Sequence, residues 1–345
     1  MDIDAFAIGF DHRDRARLHA LWDDALDADV WSEGALTRGF EDAWAAWNGL
    51  PTVAMNGWTG AALAALEFYG VRGKKVLCPS NTFMAAPLAI QSAGGIVAFV
   101  DCNREDLCMS FEDFERKARE HEPHAAMLVH IGGHIAFDVE RIAAFCRDNG
   151  IVLLEDCAHA HGAAWHGRRA GTWGDAGIWS FAATKTISTG EGGALVSGNP
   201  DLLEYARAFR NYGKPHYTTP GLNYRMNEFT AALGIVGVER LDEQPCAHRL
   251  GVLPDDERGG RGGSRHDAHA DQRPARDLEA SRLRGRRRKS QRKPMFQSAC
   301  INRGIIERGG RAGGEGPIGG EAHVPENSAR IGWAAPCAQD QQAEG

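Results

Sequence analysis

Up to about Glu243 the chain alternates short, β-rich apolar runs with stretches of helical period, and few folds accept that rhythm. The runs are TVAMNG, KVLCPS, IVAFVD, AAMLVHIGG, IVLLEDCA, AGIWSFAA and GGALVSG. Helical patterns at residues 59–69, 82–92, 110–120 and 139–149 separate most of the first five. A strand as continuously apolar as IVLLE belongs where both faces of a sheet are covered, so the expected class is α/β: a mostly parallel, seven-stranded sheet wrapped by helices. In such sheets ligands collect at the carboxyl ends of the strands. Polar residues at those ends are therefore the candidates for function.

Past Glu243 the character changes. DERGGRGGSRHDAHADQRPARD, RLRGRRRKSQRK and ERGGRAGGEGPIGGE show neither strand nor helix periodicity, and only two aromatic residues, Phe296 and Trp333, lie there. Such a segment buries too little apolar area to offset roughly 1–2 kcal/mol of backbone entropy per residue. The expected organisation is a domain over residues 1–243, opening with N-terminal helices, and an irregular or disordered Arg/Gly/Ala-rich tail over 244–345. That composition is also what GC-rich DNA encodes out of frame, so a frameshift near Gln244 is expected.

The first residues, MDIDAFAIGFDHRD, carry acids where a secretory leader carries positive charge. No stretch reaches the roughly 18 apolar residues of a membrane span. A soluble, cytoplasmic protein is the expectation. The eight cysteines are scattered without a CxxC pair, which suits buried small side chains better than a disulfide frame. A net charge of -7 speaks against general nucleic-acid binding, and RGRRRK in the basic tail reads as a solvated or out-of-frame run. His130 and His134 in HIGGH are spaced four apart, but Gly132 and Gly133 break the helix that would align them, so no metal site is expected. GGRAGGEGPIGG lacks the preceding strand of a dinucleotide loop.

Four features fall at strand ends of the ordered part. Asp156 closes the most apolar strand, where a carboxylate is costly unless paired; alone it reads equally as a cap or turn acid. Lys185 follows AGIWSFAA and precedes the tight TGEGG turn. A loop lysine is ordinarily a solvated charge, but a desolvated one loses its proton more readily, and its neutral amine attacks aldehydes. NGWTGAALAALEFYG passes from a strand through glycine into a helix near Thr59, presenting free backbone N–H groups to an anion. Phe83 in PSNTFMAAP follows another strand and is either a core aromatic or a platform for a flat ring. An amine, a strand-end carboxylate, a phosphate cradle and an aromatic face together match the needs of pyridoxal 5'-phosphate.

On TFMAAPLAIQSAG, EDCAHAHGA, GDAGIWSFAATKTISTGEGGALV and RNYG…GLNYRMNEFTAALG, residues 14–243 resemble the DegT/DnrJ/EryC1/StrS aminotransferases, fold-type-I pyridoxal-phosphate enzymes acting mainly on keto sugars of nucleotide-sugar pathways. The resemblance implies that Lys185 bonds the cofactor aldehyde and that Asp156 pairs with the pyridinium nitrogen. It places His159 near the ring hydroxyl, Thr59, Gly60 and Ser180 at the phosphate, and Phe83 on the ring. Asn223, in the loop GLNYRM, would reach the phosphate of a neighbouring subunit, which implies a homodimer with shared sites. It further implies transamination from an amino-acid donor such as glutamate to a keto sugar nucleotide. Cyclitol or aminohydroxybenzoate chemistry is an alternative within the family, while a lysine rather than a histidine at 185 speaks against deoxygenation. Two departures stand out. Gly57-Trp58-Thr59 replaces the usual Ser-Gly-Thr, so Trp58 is expected to reshape the pocket mouth. The family's C-terminal domain is not recognisable, which leaves a catalytically incomplete, cofactor-binding or merely dimerising protein as the rival expectation.

Overall fold

The computed structural model describes residues 10–241. The readings made for residues 244–345, the tail and the frameshift included, lie outside them. Two helices, α1 (His12–Asp27) and α2 (Ala35–Asn48), lead into β1 (Thr52–Met55) and α3 (Trp58–Phe68). The chain then alternates through β2 (Lys75–Pro79), α4 (Ala85–Ser92), β3 (Ile96–Val100), α5 (Phe111–His121), β4 (Ala125–Val129), α6 (Val139–Asn149) and β5 (Val152–Asp156). A small ribbon, β6 (Ala164–Trp165) with β7 (Arg168–Arg169), precedes β8 (Ala176–Ser180), β9 (Gly193–Val196), α7 (Pro200–Phe209) and α8 (Glu228–Glu239). No helix among the described residues is long and apolar enough to cross a membrane.

The seven long strands form one sheet in the order β1-β9-β8-β5-β4-β2-β3. The pairs β2–β3, β2–β4, β4–β5 and β5–β8 are parallel, whereas β9 runs antiparallel to both β8 and β1. The mostly parallel sheet expected from the sequence is therefore present, with β9 as its one reversed member. That reversal turns the β8–β9 connection back on the same edge of the sheet. The register fixes the result: Asp156 sits opposite Val129 and Ile178, and Gly193 opposite both Ser180 and Met55. The carboxyl ends of β1, β5 and β8 thus share one edge with the start of β9.

Every residue of β1, β4, β8 and β9 is buried, as unbroken apolar strands require when both faces are covered. One apolar cluster includes Leu18, Phe40, Trp44, Phe114, Ile142, Trp179 and Ile235; the other includes Ala61, Leu66, Ile90, Ile178, Leu202 and Phe209. In the first, Trp44 meets Trp179 and Phe181 edge-on at 4.9 and 5.1 Å between centroids.

Two local expectations shift. Helix α4 begins at Ala85 rather than at Thr82, because Asn81 donates to the Leu107 carbonyl and the Thr82 hydroxyl to the Phe83 carbonyl, holding the segment as a loop. The β6–β7 ribbon has no apolar alternation to announce it. Its two-residue turn depends on positive φ at His166 and Gly167, the geometry that suits the twist of a hairpin.

Candidate active site

Asp156 is the last residue of β5 and only 6% exposed. Its Oδ1 accepts from the backbone N–H of Ala158 at 3.0 Å and from the indole N–H of Trp58 at 2.9 Å. No described residue donates to Oδ2. Burial pushes this carboxyl above the ordinary aspartate value, while the two hydrogen bonds and the charge of Lys185 draw it back down.

Lys185 lies on the loop between β8 and β9. The Phe181 N–H donates to the Gly192 carbonyl, the Thr189 N–H to the Phe181 carbonyl, and the Lys185 N–H to the Ala182 carbonyl, so the loop is tied at its base and around the lysine. The side chain is half-buried, and desolvation lowers its pKa below the usual lysine value against the pull of Asp156. Amine and carboxylate are thus electrostatic neighbours, although 29 positions separate them in the sequence.

Ser180 ends β8, buried, with its hydroxyl accepting from the Ala182 N–H at 3.4 Å. Thr59 is exposed and Gly60 buried in the first turn of α3. The N-cap, Gly57, offers no side-chain cap, so the first N–H groups of this helix are left to other acceptors. A Cβ on Gly193 would stand 2.3 Å from the Gly57 carbonyl carbon, so only glycine lets β9 approach this turn. His159 is half-buried three residues beyond Asp156. Phe83, between β2 and α4, exposes 63% of its surface. Asn223 is exposed, and its carbonyl accepts from the Asn56 side chain at 3.3 Å, while the Asn56 N–H donates to the Tyr224 carbonyl at 2.7 Å. The loop carrying Asn223 therefore lies beside the β1–α3 turn of its own chain.

Trp58 departs from the expectation placed on it. Rather than reshaping a pocket mouth, it is 8% exposed, packs among the apolar residues under α3 and turns its N–H to Asp156. The only sequence signal was the bulky residue at a position where glycine is usual; the direction of its side chain is a tertiary fact. His130 and His134 are split between two environments. The Nδ1 of His130 accepts from the Ala136 N–H at 3.2 Å, which leaves Nε2 as the donor to Glu155 at 3.0 Å. His134 Nε2 lies 3.0 Å from the Asp106 carbonyl. Glu155, fully buried, also accepts from the N–H groups of Gly171, Trp173 and Gly174, a structural network that the sequence did not disclose.

A doubly covered sheet with one reversed strand, a desolvated lysine beside that strand and a buried acid at the next parallel strand end defines the large-domain fold of the fold-type-I pyridoxal-phosphate transferases. The family model of the DegT/DnrJ/EryC1/StrS aminotransferases matches residues 13–251, and the chain belongs to that family, whose aminotransferases depend on pyridoxal phosphate. It is 34% identical over 197 residues to a GDP-perosamine synthase of Vibrio cholerae, covering 56% of this chain and 53% of that protein. It is 33% identical over 234 residues to a 3-amino-5-hydroxybenzoate synthase of Amycolatopsis mediterranei, covering 64% and 59%. The crystal structure of DesI in the presence of its TDP-sugar product matches with a TM-score of 0.63 and 31% identity, over 70% of this chain and 62% of that one. The chain thus spans between about half and two thirds of the length of these relatives.

The residues present fit pyridoxal 5'-phosphate. The Asp156 Oδ2 lacks a donor, the Lys185 amine is desolvated, and the uncapped start of α3 offers N–H groups to a phosphate.

Proposed function

We propose that this chain transaminates a keto sugar, nucleotide-linked, with an amino acid such as glutamate as donor, in the assembly of an amino sugar. The observation that carries the reading is the pairing of a half-buried Lys185 with a buried Asp156 at one sheet edge. Pyridoxal phosphate, when bound, supplies an aldehyde for the amine and a ring that accepts electrons from the carbon losing its proton. Lys185 would hold that aldehyde through its amine and, once displaced by the donor, its neutral amine would accept the proton from the donor's Cα and return it to the cofactor carbon that had borne the aldehyde. Asp156 would present Oδ2 to the ring nitrogen and keep a proton there. Thr59, Gly60 and Ser180 would hold the phosphate, His159 would serve the ring hydroxyl, and Phe83 would cover the ring.

The names of the similar proteins support the substrate class: a GDP-perosamine synthase and a protein crystallised with its TDP-sugar product. The same reading includes a cytoplasmic homodimer; Asn223 and Phe83 are exposed, and Asn223, although its carbonyl accepts from Asn56 of its own chain, keeps its side chain open to a neighbouring subunit. Residues 1–243 form the cofactor domain in this reading, and 244–345 a tail. A second reading is that the chain binds cofactor or dimerises without completing turnover; the chain matches 53% and 59% of the length of the two named relatives. Single-turnover spectroscopy with glutamate separates the two: conversion to the pyridoxamine form supports transamination, and a folded, yellow protein that does not convert refutes it.

A further inference from the structure

The indole of Trp58 is the one feature of this site that the expected pattern does not contain. It enters from the first residue of α3, directly after Gly57, and its ring is buried against the apolar cluster that includes Met55, Ala61 and Ala62. The packing fixes the plane of the ring. Its N–H therefore points at Asp156 Oδ1 from a rigid anchor, at 2.9 Å. An indole N–H only donates, so it serves an oxygen that bears no proton.

We propose that Trp58 is a positioning residue for Asp156: its N–H, with that of Ala158, reserves Oδ1 as the acceptor and leaves Oδ2 as the oxygen open to a ligand's N–H. The inference rests on the functional reading above. The same contact couples the two ends of the ligand site, because Trp58 opens the helix whose first turn carries Thr59 and Gly60. A shift of that turn thus moves the donor on Asp156.

The contact also favours the ionised carboxylate. Other groups facing Asp156 are Lys185 from the β8–β9 loop and His130 from the end of β4, with the thiols of Cys78 on β2 and Cys157 just past β5. The Nδ1 of His130 accepts from Ala136 and its Nε2 lies against Glu155, so the ring gives Asp156 no hydrogen bond. The thiols are pushed up by burial and stay neutral. Trp58 and Ala158 are thus the two direct hydrogen bonds to this carboxylate, and Trp58 is the one a side-chain substitution removes.

Two variants of the full-length protein test the proposal. Trp58→Phe removes the donor and keeps an aromatic ring. Benzothienylalanine, placed at position 58 by codon suppression, keeps the indole shape and replaces N–H with sulfur, so it carries the test should the phenylalanine variant fail to fold. The first measurement is the titration of the Asp156 carboxyl in the apoprotein by carbon-13 NMR, with Asp156→Asn assigning the signal. The second is the dissociation constant of pyridoxal phosphate. Loss of a hydrogen bond to a charged group predicts an upward shift of the carboxyl midpoint and cofactor binding about tenfold or more weaker in both variants. An unmoved midpoint in the shape-preserving variant overturns the proposal. The titration needs no cofactor, so a protein that binds no pyridoxal phosphate would refute the functional reading while the Trp58–Asp156 contact is judged on the midpoint alone.

Discussion

Asp156 and Lys185 carry opposite costs of burial, and each leaves a measurable trace. Asp156 has a folded-state pKa raised above its ordinary 3.8, so its contribution to stability is fully present below 3.8 and is lost as pH rises through the folded value. Asp156→Asn keeps an oxygen to accept from Trp58 and Ala158 but cannot ionise. Calorimetry of the apoprotein is expected to show the variant gaining on wild type as pH climbs through that window, with transamination lost. Lys185 has the reverse sign: its contribution is present above 10.5 and is lost as pH falls through its lowered folded value. Lys185→Ala should abolish turnover and the visible absorbance of bound cofactor, and a spectrum unchanged from wild type would refute its role. The sequence exposed both residues through their position at strand ends. It could not show that Trp58, 98 positions from Asp156, would link the start of α3 to the acid.

Helix α2 depends on a residue that lies far from it in sequence. Its N-cap, Gly34, has no side chain to offer, and the buried carboxylate of Glu228 from α8 takes that place. Glu228 accepts from the N–H groups of Gly34, Leu36 and Thr37 and from the Thr37 hydroxyl, at 2.9, 2.7, 3.1 and 2.5 Å. A Cβ at position 34 would meet that carboxylate at 2.6 Å, so the absence of a capping side chain is what admits the distant one. Glu228→Ala leaves these donors buried and unpaired, and urea unfolding should show a loss of about 3 kcal/mol. A second bond of this kind ties α2 to α7: Glu41 accepts from Arg210 at 2.5 Å and Arg207 at 2.7 Å, and from the Ala54 N–H of β1 at 2.9 Å. Four helices between the strands were readable from apolar period, and 139–149 falls where the period put it. These long-range partnerships were not, because a glycine or a glutamate reads locally as a breaker or a solvated charge.

The described residues are held by two apolar layers pressed on the sheet, and one of them contains the aromatic cluster in which Trp44 meets Trp47, Trp179 and Phe181. Trp44→Ala should cost about 3–5 kcal/mol in unfolding free energy and lower the melting temperature without altering the chemistry of the sheet edge. A loss below about 1 kcal/mol would show that this layer repacks. By itself the sequence determined the class of sheet, its seven strands, the positions of four of the eight described α-helices and the family, because apolar period, strand-end polarity and motif order are local properties of the chain. Tertiary structure alone decided the reversal of β9, the burial that shifts Asp156 and Lys185, and the choice of Trp58 and Glu228 as partners. Those depend on which surfaces exclude water from which groups, and desolvation exists only once distant segments have closed over one another.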